Sequence, residues 1–432
     1  MKKIIKHTLL IVGTASMMLG TTGCKKNFTN PNAATSDQVF SSATGLTGVA
    51  VSLQRTYALS RAGTVYNLVT ANGFTTGELI LLNQGNTAEY QLSLGGGAVD
   101  GTNSILANIW ANGNKIEYDA NNVIEGANKL GDKNYASGLI GYATLYKALA
   151  LGSLSMLWEK VPAAVGQSAT FVDRKEGFNK AIAAIDVALS TIATNPISAA
   201  FIANIPAGND IVNSLLAVKA RFALFTGNNA LALSTANLID MSKKGNMNFD
   251  AVSLNPIFET ATSTNNVFQP IDSTFGMPIG LRPALNDGRI SFYTSINPTI
   301  APRFRVAGFG GTTTTVFPVY LPGEIILIKA EVYARNNDLI NGLAELNKVV
   351  TKTAAVDSYG IGANQPAYGP LTQAQLLDQI YLNRCTELFM SGLKLEDMRR
   401  FGRANSERKR NLFPYPFRER DNNKNTPTDP SF

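Results

Sequence analysis

The acids that could act as a catalytic pair are Glu324, Glu331, Glu387 and Asp397. Glycoside hydrolysis, for example, needs two carboxylates facing one cleft. All four fall in helical segments, and no two of them form a motif for that chemistry. They read as structural ion-pair partners. The only histidine is His7, which lies in the leader described below. A mature chain without imidazole excludes Ser-His and Cys-His catalysis, His-ligated zinc and His acid/base steps. Cys385, on an apolar helix, reads as a small core residue and not a nucleophile. Gly95-Gly96-Gly97 lacks a following Gly-Lys-Ser/Thr, so it reads as a turn and not a phosphate loop. No metal or cofactor is implied. Binding chemistry remains. Aromatic rings stack on the CH faces of sugars, while Asn and Arg bond their hydroxyls. The candidates are Phe74, Tyr90, Phe275 and Tyr293, with Asn86 and Arg289 as polar partners.

These candidates lie in two segments, about 61–102 and 249–320, that are rich in Gly, Asn and Thr and lack helical periodicity. Within the second, 289–295 reads as a short β piece. Around them the apolar residues recur at three-and-four spacing. Helices are expected at 37–59, 103–130, 135–157, 177–194, 211–225, 228–241 and 321–335, with another after the capping residue Asp338. The fold class is mostly α: antiparallel helix pairs, tetratricopeptide-like in layout, form a scaffold with long irregular loops and a few short strands.

The last helical segment, 371–402, organises the rest. Thr372 can cap its start, and no Gly or Pro follows until Gly392. Arg384 and Glu387 lie one turn apart and can pair, with Asp397, Arg399 and Arg400 closing the segment. Glu324 and Glu331 share a helix face, and one of them can be buried against Arg384. Buried charge is costly unless paired, so this helix requires neighbours that supply partners.

The spacing Arg384, Glu387-Leu388, Gly392, Asp397-Met398, Arg400 resembles the "ER..EL...G....DL.R.." helix of the SusD/RagB family. Other stretches are similar to that family as well: Trp110 followed by Asn121-Asn122, the helix holding Glu331, Asp287-Gly288-Arg289, and the finish Leu412-Phe413-Pro414-Tyr415-Pro416. Trp110, Asn122, Glu331, Arg384, Glu387, Gly392, Asp397 and Arg400 form the structural signature. The resemblance implies a surface lipoprotein that binds an oligosaccharide, or alternatively a peptide, and passes it to a SusC-like TonB-dependent transporter; a non-catalytic structural adaptor of the transporter complex is the other alternative. It implies no catalysis and no nucleic acid.

Composition is consistent with export. The 432 residues are 45% hydrophobic and 16% charged, enough for a large core. Residues 1–23 read as a lipoprotein signal peptide: Lys2, Lys3 and Lys6 precede an apolar stretch too short to span a bilayer. Thr-Thr-Gly then leads to Cys24, the expected lipidation site. Residues 24–36 have the composition of a tether, and 37–432 read as a single domain. The expected location is the outer membrane, anchored by lipid and facing the exterior. The formal net charge of +7 includes the three leader lysines. The one dense basic stretch, 399–410, reads as a solvated face or partner contact and not a nucleic-acid stripe.

Overall fold

The computed structural model describes residues 36–264 and 266–432. The expected leader, Cys24 and most of the tether lie outside them. Helix starts follow capping chemistry closely. Ser42 caps α2 (Ala43–Ala58) by accepting from Gly45 N, and so separates it from the short α1 (Ser36–Phe40). The single helix expected over 37–59 is therefore two. Helices α3 (Thr64–Thr75) and α4 (Thr87–Leu94) come next. Asn103 and Asp132 cap the long pair α5 (Ser104–Lys129) and α6 (Lys133–Leu157). Their short link makes them antiparallel, and α7 (Arg174–Thr194) packs beside α6. After the single turn α8 (Ala199–Ile202), helices α9 (Ile211–Thr226) and α10 (Asn229–Ala236) are joined by Gly227 in the left-handed region. The remaining helices are α11 (Gly288–Tyr293), α12 (Pro322–Arg335), α13 (Leu339–Val350), α14 (Gln373–Glu387), α15 (Lys394–Arg400) and α16 (Phe417–Asn422). Among the described residues, no helix is long and apolar enough to cross a membrane.

Strands are short and pair antiparallel in twos. β1 (Leu79–Leu81) pairs with β5 (Phe268–Pro270), and β2 (Lys160–Pro162) with β3 (Phe171–Asp173). β4 (Asn246–Met247) pairs with β8 (Phe317–Pro318), and β6 (Thr294–Ile296) with β7 (Phe304–Val306). The β1–β5 ladder joins the two irregular segments to each other.

Helix α3 overturns the expectation that 61–102 is irregular. All twelve of its residues are buried, so no polar face exists to give a period. Its polar residues can be buried because they bond back to carbonyls one turn earlier. Asn67 Nδ2 donates to Gly63 O at 2.7 Å, and Thr70 Oγ1 to Tyr66 O at 2.8 Å. Asn72 and Thr75 repeat the pattern. The β piece expected at 289–295 is also corrected, since α11 occupies 288–293 and only then does β6 begin.

The C-terminal charges are buried in three paired groups, wired differently from the expectation. Arg384 does not pair with Glu387. It reaches across the turn to Asp397, with Nε and Nη2 each 3.0 Å from the carboxylate. Arg400 grips Glu331 with two bonds of 2.7 and 2.8 Å, while Glu331 stands 4.0 Å from Arg384. Glu324 takes Arg221 instead, at 2.6 Å. Glu387 is held by Lys352, with Arg289 at 3.4 Å. These bonds tie α9, α12, α14 and α15 together. Gly392 has φ +80, and a Cβ there would lie 2.7 Å from Leu68 Cγ, so the signature glycine is needed for turn and contact alike. Trp110 is packed, not exposed: it meets Trp158, Phe171 and Tyr415, and its Nε1 donates to Glu419 at 3.0 Å. Asn122 is half-buried on α5. The basic stretch 399–410 is not a solvated face throughout, because Arg410 is 5% exposed, Arg400 holds Glu331, and Arg399 is tied to Glu396 and to the Met156 carbonyl.

Candidate functional site

Four of the six expected ligand contacts are core residues. Phe74 and Phe275 are 0% exposed, Arg289 1% and Tyr293 2%. Phe275 stacks on Phe389 at 4.1 Å, and Phe74 meets Phe268 edge-on. Tyr293 donates its hydroxyl to the Glu387 carbonyl. Arg289 is taken by Asp287 at 2.7 Å and by Asn383 at 2.9 Å. With no face open to solvent, none of the four can stack on or bond a sugar. They are corrected to packing roles.

Asn86 and Tyr90 lie elsewhere, one turn apart at the start of a helix, and they line two different hollows. After α3 the backbone turns at Gly77, φ +75, and enters β1. Ile271 N donates to Glu78 O and Leu82 N to Val267 O, both at 2.9 Å. These bonds set the even-numbered residues of β1 as the hydrogen-bonded partners of β5. The N–H and C=O of Leu79 and Leu81 therefore point to the open edge. That edge faces a hollow of about 380 Å³, bordered also by Gln84, Tyr90, Ile271 and Lys409. A second hollow of about 260 Å³ lies against the same ladder, lined by Arg61, Asn83, Asn86, Glu259 and Asn266.

The second hollow is electrostatically closed. Glu89, buried beneath it, pairs with Arg61 and accepts from Tyr66 Oη at 2.6 Å. Arg61 Nη2 then donates to Asn86 Oδ1 at 2.9 Å. Asn86 stands at the N-cap position of α4 without capping it, which leaves its side chain for this contact. The first hollow offers a half-buried ring, an amide, a strand edge and an amine. That set suits a ligand with one flat apolar face and a rim of hydroxyls.

Sequence reading missed Gln84, Lys409 and the backbone of Leu79 and Leu81. No side-chain pattern marks an open strand edge; the clue available was the short apolar run Leu79–Leu81 between Gly77 and Asn83. A smaller void lies away from both hollows. It holds about 60 Å³ in the core beside Tyr293, Phe389 and the Arg221–Glu324 pair, enough for a few waters and not for a sugar ring.

Helical pairs with buried C-terminal charge pairs, two irregular segments joined by a strand ladder, and a groove on that ladder are now in place, and comparison with solved structures decides which fold they compose. The chain has the SusD-like fold. A SusD homolog from Bacteroides thetaiotaomicron superposes with a TM-score of 0.67, covering 92% of this chain and 99% of that one at 13% identity. A SusD superfamily protein from Bacteroides vulgatus gives 0.66, with 90% and 99% coverage at 13% identity. A laminarin-binding SusD-like protein gives 0.63, with 90% and 99% coverage at 13% identity. The sequence itself matches no family model and no curated protein. The likeness is one of fold, at 13% identity to each of these three structures.

Proposed function

We propose that the protein captures an oligosaccharide in the groove along the β1 edge, with one sugar ring on Tyr90 and hydroxyls on Gln84 and the Leu79 and Leu81 backbone. One observation carries this reading: the half-buried ring of Tyr90 and the outer edge of β1 share a hollow where β1 and β5 tie the two segments together. The SusD-like fold supports it, since a structural neighbour binds laminarin. The role is binding and not hydrolysis. Glu324, Glu331, Glu387 and Asp397 are all at most 1% exposed and held by cations, out of reach of a glycosidic bond. Among the described residues lining the two hollows, Glu259 is the only carboxylate. In the full reading, acyl chains on Cys24 hold the protein at the outer membrane, and it passes its ligand to a SusC-like transporter. Labelled palmitate incorporated into the wild type but not into Cys24→Ser tests the anchor.

A protein that hands its ligand on must release it, so the expected affinity is micromolar, about −8 kcal/mol. Calorimetric titration with a panel of oligosaccharides should find such a ligand. Tyr90→Ala should weaken it by about tenfold or more, while leaving the melting temperature nearly unchanged because the ring is half exposed. Equal affinity in Tyr90→Ala, or new reducing ends released from the glycan, contradicts the reading.

A further inference from the structure

The basic stretch divides sharply by its partners. Arg399 meets Glu396, Arg400 meets Glu331 and Asp397, and Arg403 meets Glu407. Arg408, Lys409 and Arg410 make no ion pair among the described residues. Arg408 donates to Asn405 and the Arg403 carbonyl, and Arg410 to the carbonyls of Val99 and Leu412. The acids nearest to them, Glu407 and Asp429, are engaged by Arg403 and Arg420. Positive charge is therefore uncompensated here, and Lys409 brings it to the wall of the first hollow.

Lys409 is positioned, not loose. Its N–H donates to Thr75 O, and its carbonyl accepts from Gly96 N, both at 2.9 Å. A Cβ on Gly95, φ +72, would lie 2.3 Å from Lys409 Cβ, so the glycine is what lets the two chains meet. The amine donates to Ser93 O at 2.6 Å, which leaves two N–H groups for a ligand. Burial lowers the pKa of this amine, and partial dehydration strengthens any charge contact it makes. The acids beside the hollow do not answer it. Glu78 is buried inward, Glu89 belongs to Arg61, and Asp272 accepts from its own turn at Thr274.

We propose that the first hollow selects oligosaccharides bearing an anionic group, a uronate carboxylate or a sulfate ester, seated on Lys409 beside the ring on Tyr90. This rests on reading the hollow as a saccharide site. Calorimetry at low and moderate salt tests it with three probes: oligogalacturonate, a sulfated galactan oligosaccharide and a neutral laminari-oligosaccharide. An acidic probe should bind at least about tenfold tighter than the neutral one, and added salt should erase most of that difference. Comparing the two acidic probes shows which anion fits. Lys409→Gln, which can keep the bond to Ser93, should remove the preference, and Lys409→Arg should restore it. Tighter or equal binding of the neutral probe, with sensitivity to Tyr90→Ala, overturns the anionic preference and leaves the saccharide site standing. Absence of binding by all three probes to folded protein overturns both.

Discussion

Replacing Arg384 with alanine should lower the unfolding free energy by about 3–5 kcal/mol, the cost of stranding a buried carboxylate. Arg384 and Asp397 are 0% and 1% exposed, and two 3.0 Å bonds join them. Removing the guanidinium leaves Asp397 to Arg400, which Glu331 already shares. Arg335→Ala provides the contrast. That side chain also bonds Glu331 but is partly exposed, so its loss should cost under about 1 kcal/mol. Chemical denaturation of both variants separates the cases. A similar small loss in each would mean that the network does not hold α12, α14 and α15 together.

Glu78 should make the protein less stable as pH rises through neutrality. Burial pushes its carboxyl from the ordinary 4.5 up to about 7, against the pull of Lys394. One carboxylate oxygen finds no partner in the fold. The folded state therefore prefers the protonated acid. Because the folded value lies above the unfolded one, the contribution is fully present below about 4.5 and is lost as pH climbs through 7. The span corresponds to an effect on the order of 3 kcal/mol. Glu331 acts at the other end. Burial opposes ionisation there, but Arg400, Arg384 and Arg335 overcome it and hold the value at about 2, so its contribution is present above 4.5 and lost as pH falls toward 2. Glu78→Gln should match the wild type near pH 4.5 and exceed its stability at pH 8. A stability difference between the two proteins that stays constant from pH 4.5 to 8 would refute the buried acid.

The caps at Asp338 and Thr372 act within a turn of their own helices, so the sequence displays them directly. Helix α3 escaped for the opposite reason: burial on every side removes the period that reveals a helix. Arg384 illustrates a further difficulty. Spacing offered Glu387 one turn away, but the folded chain turns back at Gly392 and presents Asp397 instead. Aromatic side chains in segments without period suggested a ligand surface, and that inference misplaced Phe74, Phe275 and Tyr293, because tertiary packing decides which rings remain exposed. Lys409 was invisible for a related reason. Its position depends on an approach to Gly95 from more than three hundred residues away in sequence.

The most direct test of the groove is a crystal structure of the protein soaked with the tightest-binding oligosaccharide from the calorimetric panel. The expected result is a sugar ring over Tyr90, with hydroxyls within hydrogen-bond distance of the Leu79 and Leu81 backbone. An oligosaccharide bound on any other face, with the β1 edge empty, would contradict it.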